Sequence, residues 1–136
     1  LFERLSEASP IHSRQIETSF GRSVLVPKCH DNAAWFTFGQ MMKDAHMSAA
    51  DFMSLAATFP TLFLSDIPQF NLERDRDVVR RFITLVDIFY DQKGRLVLQA
   101  DVDLENLFGE TSSSAFDEGF AIQRTISRLR QMQQLS

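Results

Sequence analysis

Apolar positions recur along the chain in two rhythms, and the alternation between them predicts a mixed α/β fold. Leu1, Phe2 and Leu5 fall at helical spacing before a polar run that closes near Pro10, so residues 1–7 read as the end of a helix. Two β-rich runs follow, Ser23 to Pro27 and Ala34 to Phe38, joined by a polar connection of hairpin length. Ser48 with Asp51 three residues later forms a capping-box pattern. Behind it, Ala49, Phe52, Met53, Ala56 and Phe59 make an apolar stripe at spacings of three and four, which predicts a helix of about three turns.

The second half has the clearer rhythm. An apolar run, Thr61 to Asp66, is stopped by Pro68; an amphipathic segment covers about Asp75 to Asp91; a second apolar run follows at Arg95 to Ala100. Strand, helix, strand is a βαβ unit, and such crossovers join parallel strands. In the helical segment Val78, Val79, Phe82, Ile83, Leu85, Val86, Phe89 and Tyr90 cover an arc wide enough to lie on a sheet, with Arg80, Thr84, Asp87 and Asp91 opposite. Gly94 is expected to supply the helix C-cap and the turn into the next strand. Residues 109–118, rich in Ser, Gly and acidic groups, read as an exposed loop before a last helix from about Phe120. The expected fold is therefore a single α/β domain over residues 1–136: a small, mainly parallel sheet with a βαβ unit, a β-hairpin and a C-terminal helix.

Composition narrows this picture only slightly. At 136 residues, 44% of them hydrophobic, the chain is long enough to bury one sizeable core. A net charge of −4 gives no electrostatic footprint for nucleic acid, so no nucleic-acid partner is expected. The single cysteine, Cys29, allows no disulfide within the chain. No stretch approaches the roughly 18 continuous apolar residues of a membrane span. The chain opens on Leu1 rather than Met and carries no signal or presequence pattern there, which predicts further residues upstream.

Candidate chemistry is sparse. The five glycines, Gly21, Gly39, Gly94, Gly109 and Gly119, precede no lysine, so no phosphate-cradling loop can be drawn from these residues. Leu62 to Asp66 resembles a Walker-B strand, whose terminal acid would hold magnesium, but an Asp at a strand end before Pro more simply turns or caps the chain. His12, His30 and His46 lack metal-ligand spacing, and Cys29 has no evident base, so neither a metal site nor a thiol nucleophile is expected. The last helix places Arg124, Arg128 and Gln131 at i, i+4 and i+7, opposite Ile122, Ile126 and Leu129. Such a row can grip an anion or face another domain or subunit; it can equally be a solvated basic face that the helix dipole favours. Arg80 and Arg81 admit the same two readings, with an Asp77 to Arg81 pair along the helix on the plainer side.

Several longer strings are less generic. Gly21 to Pro27, Ala34-Trp-Phe-Thr-Phe38, Phe59 to Leu72, Arg80-Arg-Phe-Ile-Thr-Leu-Val-Asp-Ile-Phe-Tyr-Asp91 and Gln123-Arg-Thr-Ile-Ser-Arg-Leu129 occur in an order and spacing that resembles the C-terminal half of the AFG-one-like AAA-type ATPases. That family includes the mitochondrial lactation-elevated proteins and the bacterial relative ZapE. The resemblance covers about residues 20 to 132. Departures are mild: Phe52 stands for a usual Tyr, Met41-Met42 for a Leu-Cys pair, and Gln131 for a Glu, whose loss is expected to leave Arg124 and Arg128 without an acidic neighbour.

The resemblance implies a parent P-loop ATPase whose Walker motifs lie upstream of Leu1, with ATP and Mg2+ bound mainly there and this stretch inactive alone. It also implies ATP hydrolysis coupled to remodelling or delivering protein clients in mitochondrial protein quality control, with inner-membrane respiratory subunits and a protease as partners and a homo-oligomeric full-length form. A bacterial cytoplasmic setting is the alternative. Within it, Arg128 and Arg124 are the first candidates for a phosphate-sensing or inter-subunit arginine, and Arg80 and Arg81 the second. The competing expectation is a non-catalytic α/β module that binds a protein partner.

Overall fold

The computed structural model describes residues 11–19, 21–109 and 119–135. The helical turn expected at residues 1–7 and nearly all of the 109–118 loop lie outside them. The described elements run β1 (His12–Ser19), β2 (Arg22–Cys29), β3 (Ala33–Thr37), a π-helical turn (Gln40–Asp44), α1 (Ala49–Thr58), β4 (Thr61–Ile67), α2 (Arg76–Asp91), β5 (Arg95–Ala100), a 3₁₀ turn (Leu104–Asn106) and α3 (Gly119–Leu135). They build one five-stranded sheet in the order β1-β2-β3-β4-β5.

The sheet is mixed, and the expectation of a mainly parallel one is met in part. β3, β4 and β5 are parallel neighbours, whereas β1 with β2 and β2 with β3 are antiparallel. β1 is a strand that the apolar pattern did not announce. Among the described side chains of β1 only Ile16 is buried, so an outer strand built from polar residues gives almost no hydrophobic signal and is held mainly by its backbone ladder to β2. Gly21, at φ 81°, takes a left-handed conformation that permits the short connection from Ser19 to Arg22. The predicted hairpin is β2 and β3, but its contact is brief: Lys28 faces Trp35 and Cys29 faces Ala34.

The expected βαβ unit is present as β4-α2-β5, preceded by a second one, β3-α1-β4. α1 opens as predicted: the Asp51 carboxylate accepts the Ser48 N–H at 3.0 Å. Its buried face is Phe52 and Leu55, continued by Phe59, while Met53, counted in the stripe, is 54% exposed because it lies on the shoulder of the helix away from the sheet. Thr61 N–H donates to the Asn32 carbonyl and Arg95 N–H to the Pro60 carbonyl, which fixes the strand starts in one row.

α2 buries Val79, Phe82, Ile83, Leu85, Val86 and Phe89, the centre of the predicted arc, and leaves Val78 and Tyr90 half-buried at its margins. Around Phe82 four phenylalanine rings meet: Phe70 lies 5.4 Å from Phe82, and Phe38 and Phe108 lie 5.6 and 5.5 Å from Phe70. These tilted contacts add about 1 kcal/mol each to the burial itself. α1 packs on β1 and α2, and α3 packs on α2 and β5, so the helices share one side of the sheet and one continuous core.

At the end of α2 the expectation about Gly94 needs correction. The left-handed residue is Lys93, at φ 60°, and Gly94 is needed for space: a Cβ there would stand 2.8 Å from the Phe89 ring and 3.2 Å from the Pro60 carbonyl oxygen. Close packing of the turn against the helix end excludes a side chain.

Candidate functional site: the contact between α2 and α3

Arginine is the residue type most often used to hold anions, so the positions of the candidate arginines decide what this face can do. α3 offers two faces. Ile122, Ile126, Leu129 and Met132 are buried in the core, and Thr125, also buried, returns its hydroxyl to the Ala121 carbonyl at 2.8 Å. The polar row beside them does not point away from the protein. It lies along α2.

Asp87 of α2 sits between the two guanidinium groups of α3. Arg128 Nη1 donates to Asp87 Oδ1 at 2.6 Å and Arg124 Nη2 to Asp87 Oδ2 at 3.3 Å. The Arg128 guanidinium also lies 4.6 Å from the centroid of the Tyr90 ring, and the Tyr90 hydroxyl donates to Gln131 Oε1 at 2.7 Å. The expected gap left by Gln131 is therefore filled otherwise: Asp87 supplies the acid, and Gln131 serves as the acceptor for Tyr90. The two strings that carried the family resemblance most specifically, residues 80–91 and 123–129, are two sides of this one contact.

The burdens on the two arginines differ. The Arg128 side chain is 24% exposed, stacked on Tyr90 and tightly paired; that of Arg124 is 53% exposed and more loosely held. One carboxylate against two guanidinium groups leaves a surplus positive charge, and the spare donors of Arg124 are the ones open to an outside acceptor.

Arg81 has a different post. Its Nε pairs with Asp77 at 3.1 Å, the plainer of the two readings, and Nη1 donates to the Met42 and Met47 carbonyls, both at 3.1 Å. It pins α2 to the loop that carries the buried Met41, Met42 and Met47. Arg80 is exposed on α2, two turns before Asp87 on the same helix face. The structure thus brings Arg124 and Arg128 together on Asp87 and gives Arg81 other partners.

The remaining candidates sort quickly. Asp66 is exposed at a register irregularity between β4 and β5, at φ 58°, and its N–H donates to Gln99 Oε1 at 2.8 Å. It borders a cleft of about 400 Å³ with Phe38, Lys43, Arg74 and Asp75. Here Arg74 pairs with Asp75 and holds its carboxyl below the usual carboxylate range. Cys29 and His30 are buried, and burial pushes the Cys29 thiol up, away from the reactive thiolate. Among the described residues no three His, Cys, Asp or Glu converge as a metal site would require, and no helix is long and apolar enough to cross a membrane.

One tie was not anticipated. Arg22 of β2 reaches Asp51 of α1 at 3.0 Å and the Ala45 carbonyl at 2.8 Å. Burial pushes the Asp51 carboxyl up, but the hydrogen bonds from Arg22 and the Ser48 N–H, with the Thr18 side chain beside them, outweigh it and hold the pKa below the ordinary range. A cap residue with a second, long-range partner carries no periodic signal, so sequence spacing gave no hint of it.

The AFG1-like ATPase family model matches residues 1–136. This chain belongs to the AFG1-like ATPase family. It is 35% identical to an uncharacterized Schizosaccharomyces pombe protein, over 96% of this chain and 33% of that protein. It is 29% identical to lactation elevated protein 1 homolog B of Danio rerio, over 98% of this chain and 32% of that protein. It is 34% identical to the cell division protein ZapE of Escherichia coli, over 71% of this chain and 24% of ZapE. The relatives of this AFG1-like chain are thus both eukaryotic and bacterial, and it spans about a third or less of their length. No solved structure matches it.

Proposed function

We propose that this chain is the C-terminal part of an ATP-hydrolysing AAA-type ATPase that remodels protein clients or delivers them for degradation in mitochondrial quality control. The observation that carries the reading is the family match over the whole of residues 1–136. In this proposal ATP and Mg2+ are bound mainly by residues of the longer parent chain. The parent acts as a homo-oligomer, and its partners are inner-membrane respiratory subunits and a protease.

The role of this part within that reading is to seat α3 on α2. Arg128 stays on Asp87 and Tyr90, and Arg124, with spare donors and a looser pairing, is the arginine best placed to meet a phosphate oxygen of nucleotide held elsewhere in the parent. A second reading, a non-catalytic interaction module, draws on the same contact: both arginines already have an acid within the chain.

ATP turnover by the full-length parent tests both. Wild type, Arg124→Ala, Arg128→Ala and Asp87→Asn are compared for turnover and for nucleotide binding. If an arginine meets the transferring phosphate, its loss lowers turnover roughly 10³-fold or more with ATP still bound, while Asp87→Asn, which leaves both guanidinium groups in place, costs far less. Equal, small losses in all three variants would assign the arginines to helix docking alone. A parent that binds ATP but never hydrolyses it ends the enzymatic reading.

A further inference from the structure

Asp66, the acid near the end of β4, takes no part in the contact between α2 and α3. Its backbone, at φ 58°, accounts for a short polar residue there, because Asp and Asn accept that conformation more readily than others, but it does not account for the charge. Among the described residues the carboxylate meets no donor; only the Asp66 N–H is engaged, by Gln99 Oε1. The exposed side chain borders the cleft of about 400 Å³ that opens where β3 and β4 end. The carboxyl ends of parallel strands are where open α/β sheets hold their ligands, and the volume falls in the roughly 300–1,000 Å³ range of small-ligand pockets.

The other walls carry complementary chemistry. Phe38 and Phe70, 5.6 Å apart between ring centroids, line the cleft together with Pro68 and Val78. Arg74 pairs with Asp75 at 3.1 Å. Lys43, exposed on the turn after β3, attracts the same carboxylate through space without a hydrogen bond, so its ammonium donors stay open. Gly39 also lines the cleft. Its backbone is ordinary right-handed helix, at φ −61°, and a Cβ there would meet nothing within 4 Å, so neither conformation nor packing within the chain asks for glycine.

These groups narrow the ligand. A simple anion would meet Asp66 and Asp75, and a simple cation would meet Lys43 and Arg74. A wholly apolar molecule would cover the open carboxylate and ammonium without giving them partners, which is costly. The match is a molecule with an ammonium group, an acceptor oxygen close to it and an apolar body. We infer that this cleft binds an apolar α-amino acid residue whose ammonium group is free: the ammonium donates to Asp66, the carbonyl or carboxylate oxygen accepts from Lys43, and the side chain lies against Phe38, Phe70, Pro68 and Val78. The first residue of a polypeptide and a free amino acid share this chemistry, and the test separates them.

The probe is a short glycine-serine peptide with leucine at its start and fluorescein at its far end, titrated with the full-length parent and followed by fluorescence anisotropy without nucleotide. Acetylating the peptide's ammonium group, or replacing the leucine by serine, should weaken binding about tenfold or more. Asp66→Asn, which keeps the backbone conformation, and Gly39→Leu, which narrows the cleft from a position with room for a side chain, should each do the same while circular dichroism stays unchanged. Unlabelled L-leucine that displaces the peptide at the peptide's own affinity assigns the site to free amino acids; leucine that fails to displace it assigns the site to polypeptide ends. No binding by the wild-type parent, equal binding of the acetylated peptide, or unchanged binding in either variant overturns the inference. A parent that binds the peptide as expected but does not hydrolyse ATP loses the enzymatic reading and keeps this one.

Discussion

Replacing Asp87 by Asn removes the charge that two guanidinium groups share while leaving the shape of the side chain almost unchanged. The Arg128 contact, at 2.6 Å between groups each about a quarter exposed, is a partly screened charge-assisted hydrogen bond worth about 1 kcal/mol. Arg124, at 3.3 Å and 53% exposed, adds about 0.3 kcal/mol. The Tyr90 stacking survives the change. The expected cost of Asp87→Asn is therefore about 1 to 1.5 kcal/mol, a fall of roughly 0.5 to 1 M in the urea midpoint of this domain. A double-mutant cycle with Arg128→Gln isolates the pair, and its coupling should be about 1 kcal/mol, read from urea titrations followed by circular dichroism. Coupling below about 0.3 kcal/mol, the usual scatter of additive sites, would refute the claim that Asp87 holds α3 in place.

Phe82→Ala empties the middle of the four-ring cluster, where the side chain is fully buried, and should cost about 3 to 5 kcal/mol by denaturant titration. Gly94→Ala forces a Cβ against Phe89 and the Pro60 carbonyl, so a loss of about 1 to 3 kcal/mol is expected; a neutral result would mean that the turn has slack. The folded Asp51 pKa lies below its unfolded value, so its contribution is complete above the ordinary carboxylate range and disappears as pH falls through the folded value. Stability measured from pH 7 down to pH 3 should therefore fall less steeply in Asp51→Asn than in wild type.

The elements that could be read from the chain are those whose side chains meet a covered face. α2 has an unbroken arc of large apolar residues, and β4 and β5 have apolar runs bounded by Pro68 and Gly94; each follows from local spacing. β1 escaped because backbone hydrogen bonds, which every sequence supplies, hold it, with Ile16 alone as an apolar anchor. Met53 and Gly94 were placed in the right elements for the wrong reasons, since a stripe does not say which shoulder is covered and a glycine does not say whether it serves φ or space.

For the candidate site the division is sharper. Spacing along one helix put Arg124, Arg128 and Gln131 in a row, and family strings marked residues 80–91 and 123–129 as special. What those residues face lies about 40 positions away in sequence, and no periodicity encodes such a distance. The packing of α3 beside α2 alone decided that Asp87 receives both arginines, that Tyr90 stacks on one of them, and that Arg81 is spent on the Met42 and Met47 carbonyls. Sequence thus determined the elements that carry a broad apolar face, α2, β4 and β5 above all, because hydrophobic periodicity is local. Tertiary structure decided which charges are paired, because pairing depends on where the buried faces bring distant polar margins together.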